Sequence, residues 1–419
     1  MFFRNKMEDW KTIYYEYPKT FWMLVGISFV DNLGGALLFP FFALYLTSKF
    51  EIGMTQVGIL FAVFSVASLV GSVLGGALTD RFGRKQIIIF SLIATSLSSV
   101  AMGLVNSFDI FFIIAAIAGL TNIGGPAHQA MVADLLPEEK RAQGYGILRV
   151  IMNLSVVIGP AIGGFLAAKS YLLLFVTDAV VSILVAGLVL GLIPETKPQS
   201  AEGQEEESVA QTFGGYIHVF RDYLFLAFML ISILMGLVYM NMNTTLGVYL
   251  RDSFDFSTVG YGYLLSMNAL MVVLLQFPIT RRIEKKSPML MMAAGMVLYT
   301  IGFAMYGFVS TTLFFAIAMV IITFGEMIIA PVAQSLVAYF SPKDMRGRYM
   351  AIFGISGAVP FALGPLLAGL VMDNAPNPRV LWYLVGVIGV LATLGYLWLH
   401  RKLEEKILAV ESAVTSEVI

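Results

Sequence analysis

Stretches of about twenty apolar residues, separated by short clusters of charge, proline or glycine, recur twelve times along the chain. They fall at about 21–47, 55–79, 86–105, 110–135, 143–168, 171–193, 222–247, 256–280, 288–308, 312–338, 347–371 and 379–400. A helix rising about 1.5 Å per residue crosses a hydrocarbon core of about 30 Å in about 20 residues, so each stretch is long enough to span a bilayer. The pattern predicts an all-α membrane protein of twelve transmembrane helices. Residues 1–193 form an N-terminal interfacial segment and a first six-helix bundle, and 194–221, with Glu205-Glu206-Glu207, form a polar linker. Residues 222–402 form a second six-helix bundle and 403–419 a tail. The first twenty residues mix Phe2, Phe3, Trp10, Tyr14 and Tyr15 with charges, the composition of an amphipathic helix lying in the interface rather than a cleaved leader.

Lysine and arginine set the orientation. With both termini in the cytoplasm, 21 of the 26 fall on inner segments. Lys49, Lys169, Arg251 and Arg379 fall outside, and Arg149 lies within a span. The linker and tail are then cytoplasmic, and the chain is a multi-pass protein of a bacterial inner (plasma) membrane.

Composition sharpens this reading. Of 419 residues, 58% are hydrophobic and 13% charged, against about 25% charged in a soluble domain. A net charge of −1 excludes a strongly basic nucleic-acid binder. The chain has no cysteine, so disulfides and thiolate chemistry are absent, and its three histidines (His128, His218, His400) suggest no metal cluster. No phosphate-binding Gly-Lys-Ser/Thr loop occurs, which argues against an ATP-driven pump encoded in this chain; the chain is expected to be a transporter and not an enzyme. The partners expected are lipid and a small-molecule substrate, with the chain working as a monomer.

The halves repeat. Pro126, Gln129, Val132, Ala133, Pro137 and Arg141 each recur 205 residues later, as Pro331, Gln334, Val337, Ala338, Pro342 and Arg346. Gly159-Pro160 recurs as Gly364-Pro365, and Gly164 as Gly369. Parallel repeats of six helices carry a substrate site between them near the midplane.

Three segments give a family resemblance. Gly76-Ala77-Leu78-Thr79-Asp80-Arg81-Phe82-Gly83-Arg84-Lys85 closely resembles the loop signature of major facilitator transporters. Gly159-Pro160-Ala161-Ile162-Gly163-Gly164 resembles the antiporter signature of the twelve-helix drug–proton antiporter branch, and Asp31-Asn32-Leu33-Gly34 with Pro40 is similar to that branch's opening helix. The resemblance implies a major facilitator fold and a proton-coupled secondary transporter working by alternating access. It also implies no cofactor beyond the proton as coupling ion. Its preferred activity is efflux of multidrug or lipophilic, amphipathic compounds. Transport of a defined hydrophilic solute (a sugar, peptide or metabolite) by symport or antiport is the alternative, and a receptor or scaffold that has lost transport is a third class. The chain departs from the branch in helix 4, where Ala115-Ala116-Ile117-Ala118 stands in place of the usual arginine, and in the counterpart loop Thr280–Lys286, which keeps charges but not glycines.

Ionisable residues inside spans are costly and suggest function. Asp31 lies about 15 Å into the first span, near the midplane, where desolvation favours a neutral carboxyl. It is a candidate proton-coupling group, or else a carboxyl that hydrogen-bonds a neighbouring helix. Glu326, in the tenth span, is read the same way, because helices 1, 4, 7 and 10 line the cavity in the proteins this chain resembles. Arg149 is a counter-ion, an anion-binding residue or a snorkelling side chain. Asn32, Gln129, Tyr239, Asn241 and Asn243 are candidate cavity residues, with methionines around 235–242 offering an adaptable surface. Asp178 reads as a buried packing group, His128 as a hydrogen-bonded core histidine or else a proton relay, and Asp134 as interfacial. In the family, a carboxylate at the position of Asp80 docks on the N-terminus of helix 11 while the inside is closed. Gly76, Asp80, Arg81, Gly83 and Arg84 are therefore the gating motif, and Gly159, Pro160, Gly163 and Gly164 the antiporter motif.

Overall fold

Leucine, isoleucine, valine, phenylalanine and methionine fill the spans, and in a hydrocarbon medium a helix is the one open-chain structure that satisfies its own backbone. The computed structural model describes residues 15–197, 219–342 and 345–417, and every regular element among them is helical. Among the described residues, twelve helices are long and apolar enough to cross a membrane. They are α1 (Lys19–Leu38, resuming as Phe42–Phe50), α2 (Met54–Phe82), α3 (Arg84–Leu104), α4 (Phe108–Thr121, resuming as Gly124–Leu135), α5 (Glu138–Lys169) and α6 (Tyr171–Leu192). The second six are α7 (Tyr223–Thr244, resuming as Leu246–Phe254), α8 (Thr258–Ile283), α9 (Pro288–Met305), α10 (Thr312–Phe340), α11 (Arg346–Asn374) and α12 (Val380–Glu417). The expected interfacial helix before residue 15, the Glu205-Glu206-Glu207 linker and Lys343-Asp344 lie outside the described residues.

Several boundaries differ from the hydrophobic pattern. Pro40 lacks an N–H, and a 3-10 turn at Phe39–Phe41 breaks α1 around it. α7 breaks at Thr245 and continues to Phe254 rather than ending near 247. α5 begins at Glu138, not 143, so Arg149 lies well inside the helix rather than near its start. α12 runs on to Glu417 through the segment read as a tail from 403. In α5 and α12 polar residues extend the helix past its apolar stretch, which hydropathy alone does not register.

The repeat is closer than the sequence matches suggest, and its offset is not constant. Tyr45 and Tyr249, 204 residues apart, donate to the carbonyls of Met102 (2.8 Å) and Tyr306 (2.7 Å), themselves 204 apart. The Phe50–Phe111 ring pair (5.4 Å) recurs as Phe254–Phe315 (5.1 Å). The helices carrying these rings end at Glu51 and Asp255, both left-handed, with φ of 54° and 52°. The offset becomes 205 only beyond the interruption of α4 at Asn122–Ile123, because the matching α10 is continuous and one residue longer.

Contacts divide the chain into two compact units. One holds described residues up to 51, in 63–204 and in 257–266; the other holds those in 52–62, 205–256 and from 267 onward. The opening turns of α2 thus group with the second unit and those of α8 with the first. Glycine explains the grouping. Without a hydrophobic force between helices in lipid, close approach depends on small residues. In the first unit, a Cβ on Gly262 of α8 would lie 2.8 Å from the Pro160 carbonyl oxygen, and Gly164 faces Gly262 at 3.4 Å. In the second, a Cβ on Gly58 of α2 would overlap the Leu366 Cα, and one on Gly369 would overlap the Met54 carbonyl oxygen. The Asp373 carboxylate then accepts from the N–H groups of Met54 (3.0 Å) and Thr55 (2.7 Å), satisfying two orphan donors of α2.

Gly58→Ala must therefore push two backbones apart. Its expected cost is about 1–3 kcal/mol, the range for overpacking. Gly76→Ala, where an added Cβ meets nothing within 4 Å, should be neutral. Thermal unfolding of the purified variants in detergent checks the contrast.

Candidate functional site

Glu326 occupies the middle of α10, where four side chains of one unit converge. The Tyr239 hydroxyl of α7 donates to one carboxylate oxygen at 2.9 Å. The Asn268 amide of α8 donates to the other at 2.8 Å. The same amide nitrogen donates to the Thr323 hydroxyl at 3.0 Å, and that hydroxyl donates to the Met319 carbonyl at 2.7 Å. Tyr239 stacks on Tyr299 of α9, with ring centroids 5.7 Å apart and planes inclined at 20°. Gly325 admits Tyr299 because a Cβ there would lie 2.7 Å from the ring. Asn268 and Thr323 are buried. The sequence pattern singled out Glu326 and Tyr239 but missed Asn268 and Thr323, although an amide inside the apolar run of α8 was the signal.

Asp31 sits in the middle of α1 in the other unit, and it is exposed. A charged group at that depth facing hydrocarbon is costly. One turn away, Gly35 is equally open, with nothing within 4 Å of the place a Cβ would take. A neighbour of Asp31 on the same helix, Gly34, packs on Asp178 of α6, whose carboxylate oxygen would lie 3.2 Å from an added Cβ. Asp178 is buried and accepts from the Ser99 hydroxyl of α3, which makes it a joint of three helices. Ser28, a turn before Asn32, donates to the Leu24 carbonyl (2.7 Å). With its one hydrogen so used, Ser28 accepts from the Nε2–H of His128, 2.8 Å away.

The other candidates disperse. Asn32 donates to the Ser28 carbonyl on its own helix (2.7 Å). Asn241 is buried and bonds to the Leu237 carbonyl (2.8 Å), so its side chain turns into the protein, leaving Oδ1 buried without a hydrogen-bond partner among the described residues. Asn243 is half-buried, and Gln129 is exposed, its carbonyl accepting from Tyr145 (2.9 Å). Arg149 is exposed and makes no ion pair among the described residues.

The gating motif forms a charged cluster within one unit. Arg84, the first residue of α3, is buried; its Nε bonds Asp134 at 2.9 Å and its Nη1 lies 3.4 Å from Asp80. Asp80 is exposed, with Arg84 as its described partner, and Arg81 lies over the Phe82 ring. Gly83 has φ of 100°, and the place of its missing Cβ is taken by the Glu195 carboxylate. That carboxylate accepts from the N–H groups of Arg84 (2.9 Å) and Lys85 (3.2 Å), capping α3. Gly76, expected to permit close approach, has open space in this arrangement, so Gly83 carries the steric requirement alone. Glu195 gives no sign of its role in the sequence, since a cap 111 residues away leaves no local signature.

The antiporter motif packs α5 on the bend of α1. A Cβ at Gly159 would lie 2.5 Å from the Ala36 Cβ, and one at Gly163 would overlap the Leu37 carbonyl oxygen. Pro160 and Gly164 face the first turns of α8.

The family profile described as Major Facilitator Superfamily matches residues 24–360 and 230–417. A Na(+), Li(+), K(+)/H(+) antiporter of Planococcus maritimus is 27% identical, over 92% of this chain and 96% of its own. The multidrug resistance protein MdtH of Yersinia enterocolitica is 25% identical, over 92% of each. The solved nucleoside transporter NupG covers 91% of this chain and 99% of its own, with a TM-score of 0.75 at 13% identity. A POT family transporter in complex with 5-aminolevulinic acid covers 92% and 96%, with a TM-score of 0.72 at 16% identity. At such identities the two structures share the fold alone.

Arg84→Ala should leave the Asp134 carboxylate without its cation and cost about 3 kcal/mol or more of stability. Asp80→Asn, at an exposed pair, should cost about 1 kcal/mol or less. Chemical or thermal denaturation of both variants, read in parallel, checks the order.

Proposed function

Because the chain belongs to the major facilitator superfamily, we propose that it is a proton-coupled antiporter that expels amphipathic, lipophilic compounds by alternating access. It would work in a bacterial inner membrane with both termini in the cytoplasm. The observation that carries this reading is the Glu326 carboxyl, held in the middle of a membrane helix by neutral donors, with no cationic side chain paired to it among the described residues. A carboxyl in such a setting is suited to exchanging a proton for a cationic substrate. Asp31, exposed in the middle of the first helix, supplies a second carboxyl open to water.

In the proposed cycle, protons from outside neutralise the carboxyls, and release to the inside leaves a negative site that attracts the next substrate. Asp80, which lies 3.4 Å from Arg84 in this arrangement, would change partner when the inside closes. The stacked Tyr239 and Tyr299 rings beside Glu326 offer a face for a flat apolar cation. The relatedness to MdtH supports this substrate class.

A second reading replaces the lipophilic compound with an inorganic monovalent cation. The relatedness to the Planococcus antiporter favours it, as does the set of oxygens at Glu326, Thr323 and Tyr239.

Proteoliposomes with an acidic interior separate the readings. Ethidium should accumulate against its gradient in the wild type, while Asp31→Asn abolishes accumulation and Glu326→Gln lowers it at least about tenfold, equivalent to about 1.4 kcal/mol. Proton efflux driven by sodium, but not by ethidium, would transfer the assignment to the second reading. Wild-type accumulation in Asp31→Asn would remove Asp31 from coupling.

A further inference from the structure

Hydrogen counting around Glu326 distinguishes its two oxygens. Thr323 has one hydroxyl hydrogen, given to the Met319 carbonyl at 2.7 Å, so toward Asn268 it can only accept. The Asn268 amide must therefore turn its NH2 toward Thr323, at 3.0 Å. This fixes its second N–H on Glu326, at 2.8 Å. A flipped amide would set its carbonyl against a hydroxyl oxygen with no hydrogen to offer and against a carboxylate oxygen. Both residues are buried, so water does not substitute for either partner. The Asn268 side is a donor whatever the state of the carboxyl.

The Tyr239 side is different. A phenol hydroxyl can offer its hydrogen or a lone pair, and the 2.9 Å contact is compatible with either. The stack on Tyr299 holds the ring, and the hydroxyl hydrogen alone needs to turn. Other groups around the carboxyl do not compete: α7 presents Tyr239, α8 Asn268, α9 Tyr299, and α12 Tyr396, whose hydroxyl is paired with Ser232 at 3.1 Å. Among the described residues no cation faces it.

We infer that Glu326 takes up and releases its proton on the oxygen facing Tyr239, by reversal of that hydroxyl, while Asn268, keyed by Thr323, keeps the other oxygen as a permanent acceptor. A proton from water forms the new O–H bond on that oxygen; this O–H then donates to Tyr239, and release runs in reverse. Asn268 and Thr323 are thus positioning residues, and Tyr239 is the hydroxyl through which the proton state is read. The inference rests on the proposal that Glu326 binds a proton during turnover.

Infrared pH titration of the purified full chain tests it without knowledge of the substrate. The difference between wild type and Glu326→Gln isolates the C=O band of protonated Glu326. Asn268→Leu should move that band to higher frequency, because the C=O loses its N–H donor, and Thr323→Val should move it the same way by less. Tyr239→Phe should instead shift the titration midpoint by about one pH unit or more, a tenfold change in proton affinity. A band that stays in place in both Asn268→Leu and Thr323→Val overturns the inference, as does the reversed pattern, in which Tyr239→Phe moves the band and they do not. Should Asn268→Leu fail to fold, Thr323→Val alone decides. Absence of any Glu326-dependent band between acidic and alkaline pH would instead refute the proton site of the proposed function.

Discussion

Everything in this molecule depends on helices approaching one another closely where lipid gives them no hydrophobic reason to do so. Glycine supplies the approach. Gly159 and Gly163 bring α5 onto the bend of α1, Gly58 and Gly369 bring α2 onto α11, and Gly325 admits Tyr299 beside Glu326. Once backbones are that close, polar side chains on adjacent helices meet without water between them, and the hydrogen bonds that define the candidate site become possible. The Asp178–Ser99 bond, made where Gly34 lets α1 touch α6, is the same principle in the first unit.

Two kinds of carboxyl result. Glu326 has a fixed donor on each of its oxygens, whereas Asp31 stands exposed beside Gly35. A group held by fixed donors is selective about which atom changes state. A group facing water exchanges freely but recognises little. The two settings occur in separate units.

The apolar stretches made the twelve spans legible, because a membrane helix announces itself by length and composition. The family, too, was readable from Gly76–Lys85 and Gly159–Gly164, and the profile match agrees. Helix ends were less so: α12 runs past its apolar stretch and α5 starts before its own, since polar residues continue a helix without a hydropathic signal. At the site, Glu326 and Tyr239 were visible as polar residues in apolar runs. Asn268 carried the same signal and was passed over, while Thr323 and Glu195 gave none, because what selects them is a partner 55 and 111 residues away. Asn241, a candidate by composition, is buried and bonds to a carbonyl of its own helix, a rotation that spacing alone does not give.

The interruption of α4 at Asn122–Ile123 has a meaning for how the two repeats can be exchanged. Adding one residue to a continuous helix turns everything beyond it by about 100°. Pro126 and Gln129 nevertheless occupy places equivalent to Pro331 and Gln334, so the break absorbs that rotation and α10 does without one. A chimera that carried the unbroken α10 segment into the first repeat would present its far half on the wrong face. The two bundles are thus duplicates that can no longer be swapped piece by piece, and the divergence that separates them is written at the level of Glu326, the place where one repeat has a carboxyl and the other has a gap in its helix.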